Sequence, residues 1–276
     1  GAENSDRVIF KYIDEAWVTN PNSRPYVNTI YLKNSHEGYS YSLSTQATKN
    51  FNFGLNAMAS YTYGVSKSAN DGGSSVALSN WRYNEVYTDK NNPEISYTDF
   101  DLRHKITGSL SYNHSWNKNT ATHVGLFYTG MSGFGYSLCY GGSSNTSNDI
   151  NRDGFAKNDL IYIFTDAQID ALLANSQIKQ LSITENGVTT VITPTEQAAA
   201  LKEWLGSNSY TKDRRGKYAE RNGARTPWEH HFDLHIAQDF NFEVAGRKQT
   251  IQLSFDILNV GNFINNSWGK TYSRGS

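Results

Sequence analysis

Cysteine is all but missing from this chain of 276 residues: Cys139 stands alone and can close no internal disulfide. Cysteine usage therefore ties the protein to no redox compartment. Long apolar runs are missing too. Hydrophobic residues make up 37% of the chain, mean hydropathy is -0.62, and no stretch approaches the ~20 apolar residues of a membrane helix. That excludes helical spanning only, because a membrane barrel turns half of each strand toward a wet lumen and carries long polar loops. Neither sign of charge dominates: 25 basic residues face 26 acidic ones, for a net charge of -1. With no dense basic cluster, nucleic acid is not an expected partner. Gly1 to Asp6 lacks the charged start and apolar centre of a signal peptide; the expectation is a cleaved leader, or a piece of a longer protein. Nucleophile motifs such as G-x-S-x-G and phosphate-cradling loops are absent. No acidic pair converges as a glycoside hydrolase requires, so no enzyme is expected.

What the chain does have is aromatic residues, with Tyr 18, Phe 13 and Trp 6, and long alternating stretches. In FNFGLNAMASYTYGV, Phe51, Phe53, Leu55, Ala57, Ala59, Tyr61, Tyr63 and Val65 share one parity, with mostly polar residues between them. Strand side chains alternate between faces, so one face is apolar and the other polar. The run exceeds the usual ~5–6 residues of a globular strand and meets the ~9–11 that cross a bilayer at a tilt. Aromatics at both ends and small residues between fit the girdles of an outer-membrane barrel.

The same alternation recurs in three hairpins. Tyr39, Tyr41 and Leu43 lead to a turn near Thr48-Lys49-Asn50 and back through the Phe51 strand. Leu102, His104, Ile106, Gly108, Leu110, Tyr112, His114 and Trp116 turn at Asn117-Lys118-Asn119 and return through Val124, Leu126 and Tyr128. Phe232, Leu234, Ile236, Phe240 and Phe242 turn between Val244 and Lys248 and return through Ile251, Leu253, Phe255 and Ile257. Turns are short at one end, while the connections Ser66 to Phe100 and Ser132 to about Glu229 are long. Barrels sort short turns to the periplasm and long loops outside. The expected fold is therefore all-β: part of an antiparallel up-and-down transmembrane β-barrel over residues 1–276, with long, partly helical extracellular loops. Residues 132–229 are expected as a structured loop within it. Arg7 to Pro25 reads as turn or loop.

Inside the longest loop, Thr165 with Gln168 and Thr193-Pro194-Thr195-Glu196 are capping boxes, the second launching a helix through Trp204 that Gly206 should end. Asn186-Gly187 between β-prone residues is a hairpin signal. Asp149, Asn151 and Asp153, then Gly154 and Asp159, have the spaced oxygens and turning glycine of a calcium loop. Leu160 stands where an EF-hand has its bidentate Glu, and an Asx-rich turn bonded to its own backbone is the plainer reading. No cofactor is required; Ca2+ is the candidate ion. Trp81, Tyr83, Tyr87, Trp204 and Tyr210 lie on the outer loops and either contact ligand or pack the loops together. Asp233 and Asp239 are read as lumen lining. His230 and His231 point to opposite faces, and His104, His114 and His123 are not expected to bind metal.

Several blocks carry a family resemblance. ARTPWEHHFDLHIAQDFNF from Ala224 to Phe242, QLSFDILNVGNFINNSWG from Gln252 to Gly269, the run from Gly54, DFDLRHKITGSLSY from Asp99 and DINRDGFAKNDLIYI from Asp149 resemble, in the same order, TonB-dependent outer-membrane receptors of the Bacteroidetes, Oar-like type. The resemblance covers the chain from about Ile30. It implies a bacterial outer-membrane protein whose complete barrel has about 22 strands and a plugged lumen. It further implies energy-coupled uptake of an unidentified nutrient. The implied partners are outer-membrane lipid, an inner-membrane energising complex acting through a plug domain, and a surface lipoprotein. The six strands counted here are a portion of such a barrel. The alternative is a soluble β-rich carbohydrate-binding module, its aromatics stacking on sugar rings.

Overall fold

The computed structural model describes Arg7, Ile30, Leu32 and residues 34–141, 149–186 and 188–272. Apart from Arg7, the turn or loop read over Arg7 to Pro25 lies outside the described residues. In chain order the main elements are β1 (Gly38–Asn50), β2 (Leu55–Ser68), α1 (Ala77–Tyr83), β3 (His104–Ser115), β4 (Thr120–Met131), α2 (Asp166–Ala174), β5 (Leu181–Glu185), β6 (Val188–Ile192), α3 (Pro194–Ser207), α4 (Ser209–Lys212), β7 (Glu229–Val244) and β8 (Arg247–Ile257). They fall into two compact units, a sheet unit of Tyr39–Lys67, Asp99–Gly135 and Arg225–Ser276, and a loop unit that gathers Gly1–Gly38, Ser68–Thr98 and Tyr136–Ala224.

In the sheet unit the long strands neighbour one another in the order β1-β2-β3-β4-β7-β8. Pairing from β2 onward is antiparallel, and its register aligns the parities read from each strand. Ala57, Leu110, Leu126, Leu234 and Ile257 form one rung across five strands. Leu55, Tyr112, Val124, Ile236 and Phe255 form the next rung on the same face. A one-residue slip between any two strands would send one set to the opposite face, so this agreement specifies the register. The opposite face carries Ser111, Gly125, His235 and Asp256 in one rung.

The turns differ from their expected places. β1 runs through Asn50, and Phe51 to Gly54 make the turn, so the Phe51 stretch becomes a strand only at Leu55. Gly54 dictates this: its φ is 94°, and a Cβ there would lie 2.3 Å from the Asn113 carbonyl oxygen. Ala245 (φ 52°) and Gly246 (φ 74°) close the last hairpin, a two-residue turn whose positive φ values match the twist of the paired strands.

The loop unit has a water-soluble kind of core, with Leu160, Ile163, Ile169, Ala198, Leu205 and Ala219 buried together. Both capping boxes form: Thr165 accepts from the Gln168 N–H at the start of α2, and Thr193 accepts from the Glu196 N–H ahead of Pro194 in α3. Helix α3 runs past Gly206 to Ser207, because Asn208 marks the stop: its side chain accepts from the Tyr210 and Thr211 N–H groups and starts α4. Strands β5 and β6 form the expected hairpin, with Asn186 at φ 50°. Two features escape local reading. Helix α1 lies in the connection Ser66 to Phe100, where no particular helix is expected, and it has no side-chain cap to announce it. The two long connections, treated separately above, share one core, since Tyr87 packs against the cluster supplied by the second.

Candidate functional site

The candidate residues Trp81, Tyr83, Tyr87, Asp149, Asn151, Asp153, Asp159, Trp204 and Tyr210 all belong to the loop unit. The stretch Asp149 to Asp159 folds on its own side chains. Asp149 accepts the N–H groups of Asp153 (3.2 Å) and Gly154 (2.8 Å), and Asn151 Oδ1 accepts the Asp153 N–H at 3.0 Å. Asp153 Oδ1 accepts from the Phe155 N–H at 2.9 Å. Its Oδ2 accepts from Asn151 Nδ2 at 3.0 Å and Asn158 Nδ2 at 2.9 Å. Asp159, fully buried, accepts the Ile150 N–H at 3.0 Å and pairs with Arg7. Burial pushes its carboxyl above the ordinary range, and the Arg7 guanidinium opposes that shift.

Against Asp153 sits Lys90, only 3% exposed, with its ammonium 2.6 Å from Asp153 Oδ2. The ammonium also donates to the Arg82 carbonyl at 2.6 Å and lies 5.3 Å from the Trp81 ring centroid. Burial pulls the Lys90 pKa down, and Asp153 partly restores it. Lys90 was invisible to sequence reasoning: TDKNNP looks like any wet loop.

The aromatics divide by environment. Trp81 covers Lys90 and donates to Asn91 Oδ1 at 3.0 Å, while Tyr83, half its surface exposed, meets Phe155 edge-on at 4.8 Å. These two therefore stand beside the Asp149–Asp159 stretch. Tyr87 stacks on Tyr218 at 4.5 Å and donates to Glu94 at 2.6 Å, so it packs the loops together. Tyr210 accepts the Glu220 N–H at 2.7 Å, and burial pushes its hydroxyl up to about 12. Trp204 remains exposed on α3. A second buried cation was equally hidden in the sequence. Arg221 donates to the carbonyls of Ser68, Ala69 and Tyr97, bonds Asn84 and pairs with Asp71 at 3.5 Å. It thereby ties the first connection to the second.

The sheet unit sorts its polar groups by face. On one face, His123 lies 2.7 Å from Asn113 Oδ1 and 2.9 Å from Asp239 Oδ2, and Gln252 donates to Asp239 at 2.8 Å. That row crosses β3, β4, β7 and β8. Asp239 thus stands in a cross-strand polar network, and Asp233 accepts the Asn259 N–H at 2.8 Å.

The other face ends in two aromatic belts. Tyr39, Tyr41, Tyr63, His104, Trp228, His230 and Trp268 make successive ring contacts at the long-loop end, between 5.3 and 6.3 Å. His104 and His230 face the hydroxyls of Tyr61 (2.7 Å) and Tyr128 (2.9 Å). At the turn end Phe51 meets Phe53, and Tyr112, His114 and Trp116 form a second run. From His104 to His114 a strand advances about 34 Å, or roughly 26 Å along the normal at a tilt of ~40°, close to the ~25 Å apolar band of a membrane barrel. Between the belts lie the alanine, leucine, valine and isoleucine rungs, without a charged side chain among them.

A family model described as outer membrane beta barrel domain matches residues 11–273. No curated protein and no solved structure matches the chain.

Proposed function

Because the chain belongs to the outer membrane beta barrel domain family and lies in the bacterial outer membrane, we propose that it is part of a TonB-dependent receptor that imports a nutrient with energy supplied from the inner membrane. A membrane location sets aside the water-soluble carbohydrate-binding module. The observation that carries the transport reading is the asymmetry of the connections. Turns of four, four and two residues close one end of the sheet, whereas both long connections leave from the other end and build one folded unit with its own buried core. A barrel that served only as an anchor has no use for such a structure, while a receptor needs a rigid outer surface to bind a scarce solute before passing it inward.

In this reading Trp81, Tyr83 and Trp204 are the loop aromatics available to a ligand, with Tyr87 and Tyr210 holding the surface that presents them. The polar row of Asn113, His123, Asp239 and Gln252 lines the lumen, where water keeps its charges hydrated. The motor acts through a plug domain, and a surface lipoprotein assists capture. No catalytic step is assigned.

Uptake by cells producing the receptor, compared with cells lacking it, tests the proposal with labelled solutes drawn from a defined medium. Uptake should depend on the receptor and collapse when the proton-motive force is dissipated. Receptor-dependent uptake that persists without the proton-motive force would overturn energy coupling and leave a passive pore.

A further inference from the structure

We propose that Lys90 is the resident cation of the Asp149–Asp159 loop, occupying the place a calcium ion takes in loops of this pattern, so that the loop folds without metal. This goes beyond the transport reading and does not depend on it.

Spaced carboxylates repel one another unless something positive sits among them, and calcium supplies that charge by gathering 6–8 oxygens at about 2.3–2.6 Å. Here the charge is covalently attached. An ammonium has three N–H donors and no acceptor. Those of Lys90 meet the Asp153 carboxylate at 2.6 Å and the Arg82 carbonyl at 2.6 Å, while the Trp81 ring covers the ammonium at 5.3 Å. With a side-chain exposure of 0% for both Lys90 and Asp153, the pair is shut off from water.

The surroundings are built to accept from donors. Asn158 turns its amide nitrogen, not its oxygen, toward Asp153 Oδ2 (2.9 Å) and Arg82 O (2.6 Å), the same two acceptors Lys90 uses. A metal cage would present the oxygen. Both Asp149 oxygens are taken by backbone N–H groups, and Asp159 has its own cation in Arg7. A dication at bonding distance from Asp153 would have to expel the ammonium and break these bonds. Among the described residues the Asn158 Oδ1 atom is buried with no hydrogen-bond partner, which leaves one oxygen free to join Asp153 if Lys90 is taken away.

The test uses the intact receptor extracted in detergent, with terbium as the probe and Trp81 as its sensitiser. Wild-type protein should give no Trp81-dependent terbium emission and an unfolding temperature that is the same in EGTA and in calcium. Lys90→Met should unfold roughly 5–10 °C lower in EGTA, the shift expected when a buried pair loses one partner. It should recover part of that loss in calcium and acquire terbium emission that Trp81→Phe removes. Lys90→Arg should stay metal-independent. Terbium emission from the wild type that Trp81→Phe removes, or a wild-type unfolding temperature that falls in EGTA, overturns the proposal, and these two arms decide it even if Lys90→Met does not fold. A folded Lys90→Met variant indifferent to calcium also overturns it.

Discussion

Leu43, Leu110, Leu253 and Phe255 of the strands are 72%, 48%, 63% and 62% exposed, whereas Leu160, Ile163, Ile169 and Leu205 of the loop unit are 3%, 0%, 0% and 2% exposed. The strands put oily side chains outward because their surroundings are hydrocarbon, and they keep polar side chains on the face toward water. The loop unit stands in water and does the reverse. Its buried charges Lys90, Arg221, Asp153 and Asp159 are each paired, as burial of charge requires. Two environments have thus selected opposite patterns within one chain, and the same substitution should act differently in each.

The largest effect is expected at Arg221. Replacement by Met strands its carbonyl partners and Asp71, and should cost the loop unit about 3–5 kcal/mol. Limited proteolysis of the detergent-extracted protein should then cut within Ser68–Thr98 and Tyr136–Ala224 while the long strands stay protected. If loops and strands are cut together, the two regions do not fold as separable units.

Next comes a pair of adjacent residues on β4. Leu126→Arg places a charge in the middle of the apolar face and should destabilise the protein by about 2–4 kcal/mol in lipid vesicles, while Phe127→Arg, on the lumen face, should change stability little. Urea unfolding followed by tryptophan fluorescence reads both; equal losses would mean that the two faces see the same solvent. A smaller loss, about 1–3 kcal/mol, is expected for Gly54→Ala, which adds a Cβ at a positive φ against the Asn113 carbonyl. It should appear in the same unfolding curve, and a neutral outcome would show that the turn relaxes freely.

The smallest effect lies at the α3 cap. Thr193→Ala should cost about 1 kcal/mol, measured by the thermal unfolding of the loop unit. Hydrogen bonds from Thr193 hold the Glu196 carboxyl below its ordinary value of 4.5. A depressed folded-state pKa means that the unfolded chain binds protons first as pH falls. The Glu196 contribution is therefore fully present above pH 4.5 and is lost as pH drops through the lower folded-state value. Thr193→Ala deletes the hydroxyl donor but keeps the backbone N–H, the larger cause of the shift, so it should weaken that pH dependence without abolishing it.

The strands, the capping boxes and the NG hairpin were legible because each is a local matter: alternation every second residue, or an oxygen three positions from the N–H it accepts. Turn borders were less so. FNF has the parity of the strand that follows, and only Gly54 approaching Asn113, a neighbour 59 positions away, makes it a turn. Helix α1 went unseen for want of a cap. At the candidate site, the oxygens of Asp149, Asn151 and Asp153 were visible from their spacing, but their counter-charge was not. The spacing rule for calcium loops assumes that the cation comes from outside, and nothing in TDKNNP marks Lys90 as buried. Of the five loop aromatics, the sequence offered ligand contact and packing as equal readings; the structure gives Tyr87 and Tyr210 to packing.

By itself, then, the sequence determined which residues share a face and where the capped helices begin, because these depend on neighbours within a few positions. Tertiary structure alone decided the order β4-β7, which joins strands separated by nearly a hundred residues, and the pairing of buried Lys90, Arg7 and Arg221 with carboxylates more than sixty positions distant. A charge finds its partner by three-dimensional proximity, and no periodicity in a linear string encodes that.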